Sequence, residues 1–219
     1  MTNRLKIILS EIPLCESFAD VGCDHGIIAE KMIERGGVKA LTVSDISAKS
    51  LEKATRRLKK YEQNGDIKIK AVVCDGLEKI EPCECVLIAG MGGEEIDKIL
   101  LSAPFLPRNL VLQPMKNTPK VRKTVMSLGY GIKKDYVFKD KKFYNILVCE
   151  KDFETRPYSE TELEFGRDNL KNYSPDFIEY IKIELKNAKK YAKGVVSLCD
   201  LADLNKKVTL LTEILGDAD

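Results

Sequence analysis

The stretch Phe18-Ala19-Asp20-Val21-Gly22-Cys23-Asp24-His25-Gly26 decides the fold of this 219-residue chain. An apolar run ends in an acid, two glycines follow, and a helix-like run occupies residues 27–35. Glycine lets the backbone turn sharply and lets a ligand approach it closely. The pattern predicts a strand, a tight turn and a helix, and open α/β sheets bind nucleotide-like ligands at such turns. We therefore expect a cofactor with an adenosine part here.

The acids of this turn indicate which cofactor it holds. Dinucleotide-binding turns carry the pattern G-x-G-x-x-G, which places a pyrophosphate on a helix N-terminus. Here Asp24 stands where a second glycine would admit phosphate, and its charge would repel a pyrophosphate. S-adenosylmethionine has no phosphate and carries a sulfonium and an ammonium group, so an acid-rich turn suits it. The alternative is a glycine turn without a ligand.

Bulk properties narrow the class of protein. The chain is long enough for one α/β domain and an appendage, and its net charge of +2 does not require a nucleic-acid partner. It has no apolar run long enough to cross a membrane and no signal peptide at its start. Seven cysteines, several of them in apolar strands, indicate reduced thiols and a cytoplasmic location. With one histidine, His25, and one isolated Cys-x-Cys pair, we expect no metal site.

Strand and helix patterns alternate through the first two-thirds of the chain. The predicted strands are residues 18–22, 40–44, 67–74, 86–89, 110–113, 132–138 and 144–149. The predicted helices are residues 26–35, 47–61, 94–101 and 121–128, the second of them closed by Asn64-Gly65. Repeated βα units imply a parallel sheet with helices on both faces. The closing antiparallel hairpin predicts an α/β Rossmann-like class I methyltransferase fold with a seven-stranded, mostly parallel sheet.

The character of the chain changes after residue 153. Ser159-x-x-Glu162 is a capping-box pattern, and Ser174-Pro175 is typical of a helix start. Apolar residues then recur at spacings of three and four on both sides of Gly194. This predicts two domains, residues 1–153 and an α-helical, coiled-coil-like hairpin over residues 154–219. The hairpin either binds substrate or only stabilises the protein.

Several residues at predicted strand ends suit an adenosine-containing cofactor and a flat acceptor. Asp45 suits the ribose hydroxyls, with a helix N-cap as the alternative role, and Asp75-Gly76 suits the adenine, with a simple turn as the alternative. The run Gly90-Met91-Gly92-Gly93 leaves an open floor for a base. Gln113 and Asn117 are candidates to bond a base edge, although Gln113-Pro114 also reads as a strand terminator.

Basic residues form two clusters along the sequence. Between Lys116 and Lys142 there are nine bases, interleaved with aromatic residues, against two acids. The second cluster comprises Lys182, Lys186, Lys189, Lys190 and Lys193, with Glu184 opposing it. Such clusters bind phosphate backbones, and interleaved aromatic residues suit stacking on unpaired RNA bases. Solvated helix faces have the same composition, so this alternative stays open.

Four motifs together resemble one enzyme family. Asp20-Val-Gly-Cys-Asp-His25, Leu87-Ile-Ala-Gly-Met-Gly-Gly93, Leu112-Gln-Pro114 and Phe143-Tyr-Asn-Ile-Leu-Val148 occur in the order found in bacterial tRNA (adenine-N1)-methyltransferases. The resemblance covers about residues 3–150. It implies a cytoplasmic, RNA-binding transferase that uses S-adenosylmethionine to modify adenine 22 in the D-arm of tRNA during tRNA processing. The alternatives are a methyltransferase that acts on another RNA or on a small molecule, and a binding module without catalysis.

The resemblance and the patterns together define a set of candidate residues. Asp24 either stabilises the charge that develops on the methylated base or holds the methionine ammonium of the cofactor. The expected partner is tRNA, without a membrane or a metal, and a monomer is favoured. The expected cofactor-binding residues are Asp20, Gly22, Asp24, His25, Gly26, Asp45, Ile46, Asp75, Gly76, Ala89, Gly90, Met91 and Gly92. The expected substrate-binding residues are Gly93, Gln113, Asn117, Lys186, Lys189 and Lys190.

Overall fold

The protein is an α/β structure with a helical C-terminal part. The computed structural model describes residues 1–62, 67–192 and 198–218. The strands are β1 (Ser17–Val21), β2 (Ala40–Asp45), β3 (Lys68–Val73), β4 (Cys85–Met91), β5 (Asn109–Pro114), β6 (Tyr130–Lys139) and β7 (Phe143–Lys151). All seven coincide with predicted strands to within three residues at either end.

Helices flank the sheet and form the C-terminal part. They are α1 (Asn3–Glu11), α2 (Ile27–Arg35), α3 (Ala48–Glu62), α4 (Gly93–Leu101), α5 (Thr118–Ser127), α6 (Glu160–Phe165), α7 (Arg167–Asn172), α8 (Pro175–Ala192) and α9 (Leu198–Gly216). The capping box that the sequence predicts at Ser159 and Glu162 begins α6. The predicted turn at Asn64-Gly65 and the break at Gly194 lie outside the described residues, as does Lys193.

The strand order positions the functional edge of the sheet. The order is β3-β2-β1-β4-β5-β7-β6, and β7 is antiparallel to its neighbours β5 and β6. This is the seven-stranded, mostly parallel sheet that the sequence predicts. The order reverses between β1 and β4, which pair in parallel, so the helices that follow them lie on opposite faces. Such a switch point leaves a crevice beyond the carboxyl ends of the strands.

The C-terminal helices cover the outer edge of β6. Alternate backbone N–H groups of this edge strand donate to side chains of α7 and α8. The bonds run from Asp135 to Asp168 (2.9 Å), from Val137 to Asn169 (2.9 Å) and from Lys139 to Asp176 (2.8 Å). An uncovered edge strand would invite pairing with other chains. The division at residue 153 stays a prediction, and these bonds tie the two parts together.

One buried ion pair reinforces this junction. Arg122 of α5 donates to both carboxylate oxygens of Asp135 on β6, at 2.8 and 2.9 Å. Its Nη1 donates to the carbonyl oxygens of Leu163 and Glu164, in α6. The side chains of the pair are 0% and 1% exposed. Arg122 belongs to the basic cluster between Lys116 and Lys142, but its burial excludes it from any surface that binds phosphate.

The last two helices lie against each other and against the sheet. Phe177, Ile181 and Ala188 of α8 are buried in one cluster with Leu211 and Ile214 of α9. Val137 of β6 belongs to the same cluster, so the hairpin shares a core with the sheet's edge. Among the described residues, no helix is both long and apolar enough to cross a membrane. The same residues contain no group of three or more candidate side chains that would hold a metal ion.

Candidate active site

A cleft of about 420 Å³ opens at the carboxyl ends of β1, β2, β3 and β4, at the switch point. Eight of the predicted cofactor-binding residues line it: Gly22, Asp45, Ile46, Asp75, Gly76, Ala89, Gly90 and Met91. Five residues that the sequence analysis did not select complete its wall: Val21, Cys74, Glu95, Lys98 and Ile99. Asp20, Asp24, His25, Gly26 and Gly92 are not in the wall of this cleft.

The glycine turn after β1 shapes one wall of the cleft. Gly22 has φ of +71°, and a Cβ at this position would lie 2.2 Å from Cε of Met91. The backbone N–H groups of Gly22 and Cys23 donate to the carbonyl oxygen of Ser44, at 2.8 and 3.0 Å. The turn is therefore fixed to the end of β2. The positive φ favours glycine at this position, and a larger residue would also displace the end of the Met91 side chain.

Asp45 lies where β2 meets this turn. Its Oδ2 accepts from the backbone N–H of Asp24 at 3.2 Å, and its Oδ1 accepts from the N–H of Ser47 at 2.8 Å. The bond to Ser47 agrees with the helix-capping alternative. A carboxylate offers about four lone-pair sites, so two acceptor sites remain for a ligand. Asp45 is thus able to order the turn and to accept from ribose hydroxyls at the same time.

Asp20 is a buried acid behind the turn. Burial raises the pKa of Asp20 to about 7; a hydrogen bond from the Ala29 backbone opposes the shift, and the charge of Asp45 adds to it. Removing a carboxylate from water disfavours its charged form. Near neutral pH this acid therefore lies close to its midpoint of ionisation, and a cation bound nearby would favour the charged form.

Asp24 and His25 lie on the outer side of the turn. Asp24 has φ of +47°, and its side chain is 66% exposed. Its Oδ2 lies 3.6 Å from Nε2 of His25, which is also largely exposed. An exposed carboxylate interacts weakly with a charge, because water screens the field. The predicted action of Asp24 on a reacting base therefore requires a bound acceptor that covers this carboxylate.

Asp75 already has a partner in the structure. Nζ of Lys98, on α4, lies 3.0 Å from Oδ2 of Asp75. Both side chains are largely exposed at the cleft. The neighbouring Gly76 has φ of +60°, and a Cβ there would meet Ile99 within 3.0 Å. The predicted contact of Asp75 with an adenine amine must therefore share this carboxylate with Lys98.

The glycine run after β4 is exposed to solvent at its start and buried at its end. Gly90 is exposed and has φ of +83°. Gly92 is buried, and its N–H donates to Oε2 of Glu95 at 2.7 Å. Gly93 is buried as well, and a Cβ on it would lie 2.5 Å from the carbonyl oxygen of Asn117. The open floor for a base is therefore at Gly90 and Met91, whereas Gly93 packs against the loop after β5.

Gln113 and Asn117 are both engaged with other side chains. Gln113 is fully buried, and its Oε1 accepts from Nε of Arg4 at 2.7 Å and also from Nη2. Its amide nitrogen donates to the Pro114 carbonyl at 3.0 Å. Asn117 donates to Glu94. The side chain that these contacts bring to the cleft is Arg4, which the sequence analysis did not select because α1 lies far from the motifs.

The two basic clusters differ in the structure. Five of the nine bases between Lys116 and Lys142 form ion pairs, which are Lys120 with Asp97, Arg122 with Asp135, Lys133 with Glu150, Lys134 with Glu11 and Lys139 with Glu179. Tyr130 and Tyr136, interleaved with them, bond Pro107 and Glu11. Lys186, Lys189 and Lys190 lie exposed along α8 and form no ion pair with the residues that the structure describes. The hairpin cluster is therefore the less engaged of the two in contacts within the protein.

The strand order, the glycine turn and the acid-lined cleft define a Rossmann-like class I methyltransferase. Residues 1–147 match the family described as "Methyltransferase domain", and the chain belongs to this family. A Mycoplasma pneumoniae protein named "Putative tRNA methyltransferase" is 26% identical over 190 residues, which are 83% of this chain and 85% of that protein.

Solved structures share the fold of the whole chain. TrmK of M. capricolum, in complex with S-adenosyl-homocysteine, has a TM-score of 0.89 at 21% identity and covers 100% of this chain and 99% of its own. The B. subtilis m1A22 tRNA methyltransferase TrmK has a TM-score of 0.84 at 22% identity, with 98% of both chains covered. These likenesses include the C-terminal helices and establish the fold.

Proposed function

We propose that this protein transfers a methyl group from S-adenosylmethionine to N1 of an adenine in tRNA, at position 22 of the D-arm. The observation that carries the proposal is the acid-lined cleft at the switch point, in a fold shared over its full length with m1A22 tRNA methyltransferases. The cleft suits the cofactor, since Asp45 and Asp75 in its wall suit the ribose hydroxyls and the adenine amine, and Glu95 is a third carboxylate in the same wall.

The chain's own residues have mainly to position the reactants. S-adenosylmethionine, when bound, supplies an electrophilic methyl group. N1 of neutral adenine has a free lone pair, so no residue needs to remove a proton before the attack. The exposed backbone at Gly90 and the side chain of Met91 leave the floor on which the base aligns, and alignment accounts for much of the rate. N1 lies on the Watson–Crick edge, so the base must leave its pairing or stack.

We expect cofactor affinity to rise with pH up to about 7 and to level off above it. Asp20 is protonated below its pKa of about 7 in the free protein, and binding of a cationic ligand favours the ionised form. Below pH 7, affinity therefore falls by up to about tenfold per pH unit. Calorimetry with S-adenosyl-homocysteine between pH 5.5 and 8.5 tests this, since that ligand keeps the ammonium group.

Two variants identify the titrating group. Asp20→Asn should remove the pH dependence, because the amide does not ionise. His25→Gln should keep it, because this substitution leaves the carboxyl group of Asp20 in place. A pH dependence that persists in Asp20→Asn would show that Asp20 is not the group responsible.

We expect Asp24→Asn to lower kcat by about tenfold while leaving the affinity for S-adenosyl-homocysteine nearly unchanged. Asp24 lies outside the wall of the cleft and is exposed in the free protein. A carboxylate covered by the acceptor stabilises the positive charge that develops on the base, and asparagine does not. A parallel loss of cofactor affinity would identify Asp24 as a ligand of the methionine ammonium instead.

We expect the hairpin lysines to hold the body of the tRNA. Replacing Lys186, Lys189 and Lys190 together by alanine should weaken tRNA binding and reduce the slope of its salt dependence by about one per lost phosphate contact. The matched control is the triple replacement of Lys49, Lys53 and Lys59, which are exposed on α3. Equal losses in the two triple variants would indicate a general charge effect rather than a binding arm.

The test of the function is transfer of a labelled methyl group into unmodified tRNA, followed by nucleoside analysis. The expected product is 1-methyladenosine, and an adenine-22 substitution in the tRNA should abolish it. Incorporation into another nucleoside would overturn the assignment of the target atom. Cofactor binding without transfer to tRNA would favour the alternatives, another acceptor or a binding module.

A further inference from the structure

Two cationic side chains border the glycine run after β4. Nη2 of Arg4 lies 3.0 Å from the position that a Cβ would occupy on Gly90. Cε of Lys116 lies 3.0 Å from the corresponding position on Gly92. Arg4 is half-buried on α1, and Lys116 is exposed in the loop after β5. Residues far apart in the sequence thus place two positive charges along the glycine run, Arg4 beside the exposed Gly90 and Lys116 beside the buried Gly92.

Neither charge is held in a direct ion pair, although acids lie nearby: Asp140 accepts from the backbone N–H of Arg4 at 3.1 Å and its charge acts on the guanidinium, and the charge of Lys116 acts on Glu94. Lys98 and Lys120, which also lie near this edge, pair with Asp75 and Asp97. Within the described ranges, by contrast, neither Arg4 nor Lys116 has a carboxylate within ion-pair distance of its side chain. The cleft wall therefore carries three carboxylates, those of Asp45, Asp75 and Glu95, whereas Arg4 and Lys116 lie outside this wall, beside Gly90 and Gly92. The wall suits a cationic ligand, and the two side chains beside it are placed to meet an anionic one.

Arg4 is held in one orientation by uncharged groups. Two of its nitrogens, Nε and Nη2, donate to Oε1 of the buried Gln113. Its guanidinium lies 5.2 Å from the centre of the Tyr144 ring. Its Nη1 makes no hydrogen bond to the residues that the structure describes. The guanidinium therefore keeps its full charge and one free donor group, in a geometry that requires little further ordering on binding.

An RNA acceptor offers Arg4 two kinds of group, the reacting base and the phosphodiesters beside it, and their charges decide which of them Arg4 binds. A base methylated at N1 carries a positive charge, so a guanidinium against its reacting edge would oppose the reaction. The neighbouring phosphodiesters of an RNA acceptor are anionic, and the free Nη1 group of Arg4 can donate a charge-assisted hydrogen bond to a phosphate oxygen. We infer that Arg4 and Lys116 form a phosphate clamp, which holds the RNA backbone beside the base presented at Gly90. This inference rests on the proposed function and names how its acceptor is held.

The first test measures binding without catalysis. Arg4→Ala and Lys116→Ala should each weaken the binding of tRNA to the complex with S-adenosyl-homocysteine by about ten- to a hundredfold. The slope of the salt dependence should fall by about one in each, while calorimetry shows unchanged cofactor affinity. The control is Lys6→Ala, which removes the same charge from the exposed side of α1. A slope that changes equally in Lys6→Ala would overturn the clamp.

The second test separates phosphate binding from support of Gln113. A tRNA with one neutral methylphosphonate next to the target adenine should lower kcat/KM of the wild-type protein. The methylphosphonate should not lower kcat/KM any further in Arg4→Ala or in Lys116→Ala, because these variants have already lost the contact with the phosphate. Equal losses in wild type and in both variants would overturn the inference. If Arg4→Ala does not fold, the exposed Lys116 alone decides between these outcomes.

Different outcomes would overturn the proposed function and the clamp. A wild-type protein that does not methylate unmodified tRNA overturns the proposed function, and the clamp with it. A wild-type protein that methylates tRNA while Arg4 and Lys116 show no coupling to the flanking phosphate overturns the clamp alone.

Discussion

Asp135→Ala is expected to lower the free energy of unfolding by about 3–5 kcal/mol, because it leaves the charge of Arg122 buried without a partner. Both side chains are almost fully inaccessible to water, and the pair is bidentate. The carbonyls of Leu163 and Glu164 also bond this guanidinium but do not neutralise it. Chemical denaturation followed by circular dichroism measures the loss.

The control is an ion pair of the same β6 strand that is open to water. Lys139 pairs with Glu179, and both side chains are largely exposed. Glu179→Ala should therefore cost less than about 1 kcal/mol. Replacing Arg122 and Asp135 together by apolar residues of similar volume should recover most of the loss, because no charge then remains buried. Equal and small losses in Asp135→Ala and Glu179→Ala would contradict the role of the buried pair.

This junction also decides how the hairpin is best tested. The side chains of Asp168, Asn169 and Asp176 saturate the edge of β6. A cut near residue 154 would remove them and expose both the edge and the core beside Val137. Loss of methylation in such a truncated protein would reflect a damaged sheet as readily as a lost binding arm. Substitution of exposed lysines on α8 leaves the junction intact.

Local sequence patterns predicted most of the fold. Strands and helices depend on short-range periodicity and on glycine, so the seven strands and helices α2 to α5 were predicted to within three residues, whereas α1 and α7 were not predicted as helices. The acids at the ends of β1, β2 and β3 fall near one edge because parallel strands share their carboxyl ends. Asp45 and Asp75 line the cleft for this reason. The assignment of individual cofactor contacts stays a prediction.

Long-range partners were not predictable in the same way. Arg4 bonds a residue 109 positions away, and no periodicity links α1 to the end of β5. Arg122 looked like a surface base among lysines, but α6 and Asp135 enclose it. The charge of a residue is visible in the sequence, whereas its burial and its partners depend on which elements pack together. The accessible cations beside the cleft therefore emerged only from the structure.

Asp45→Ala is expected to weaken binding of S-adenosylmethionine by about 1.5–3 kcal/mol, the loss for a hydrogen bond to a charged group. In the free protein, the two oxygens of Asp45 accept from the backbone N–H groups of Asp24 and Ser47. Asp45 lines the cleft and has further acceptor capacity on its carboxylate. Alanine would therefore remove the acceptors for the ribose and loosen the turn that holds the rest of the cofactor.

Two controls separate these contributions. Ser47→Ala removes the hydroxyl that accepts from the N–H of Ser50, so it weakens the start of α3 without touching the carboxylate. Asp45→Asn keeps one acceptor oxygen and removes the charge, and we expect it to bind more tightly than Asp45→Ala but more weakly than wild type. Calorimetry on folded variants gives the three affinities. Two results would show that the carboxylate orders the helix start and does not hold the ribose. One is an affinity of Asp45→Ala equal to that of wild type, and the other is a loss of affinity in Asp45→Ala no larger than the loss in Ser47→Ala.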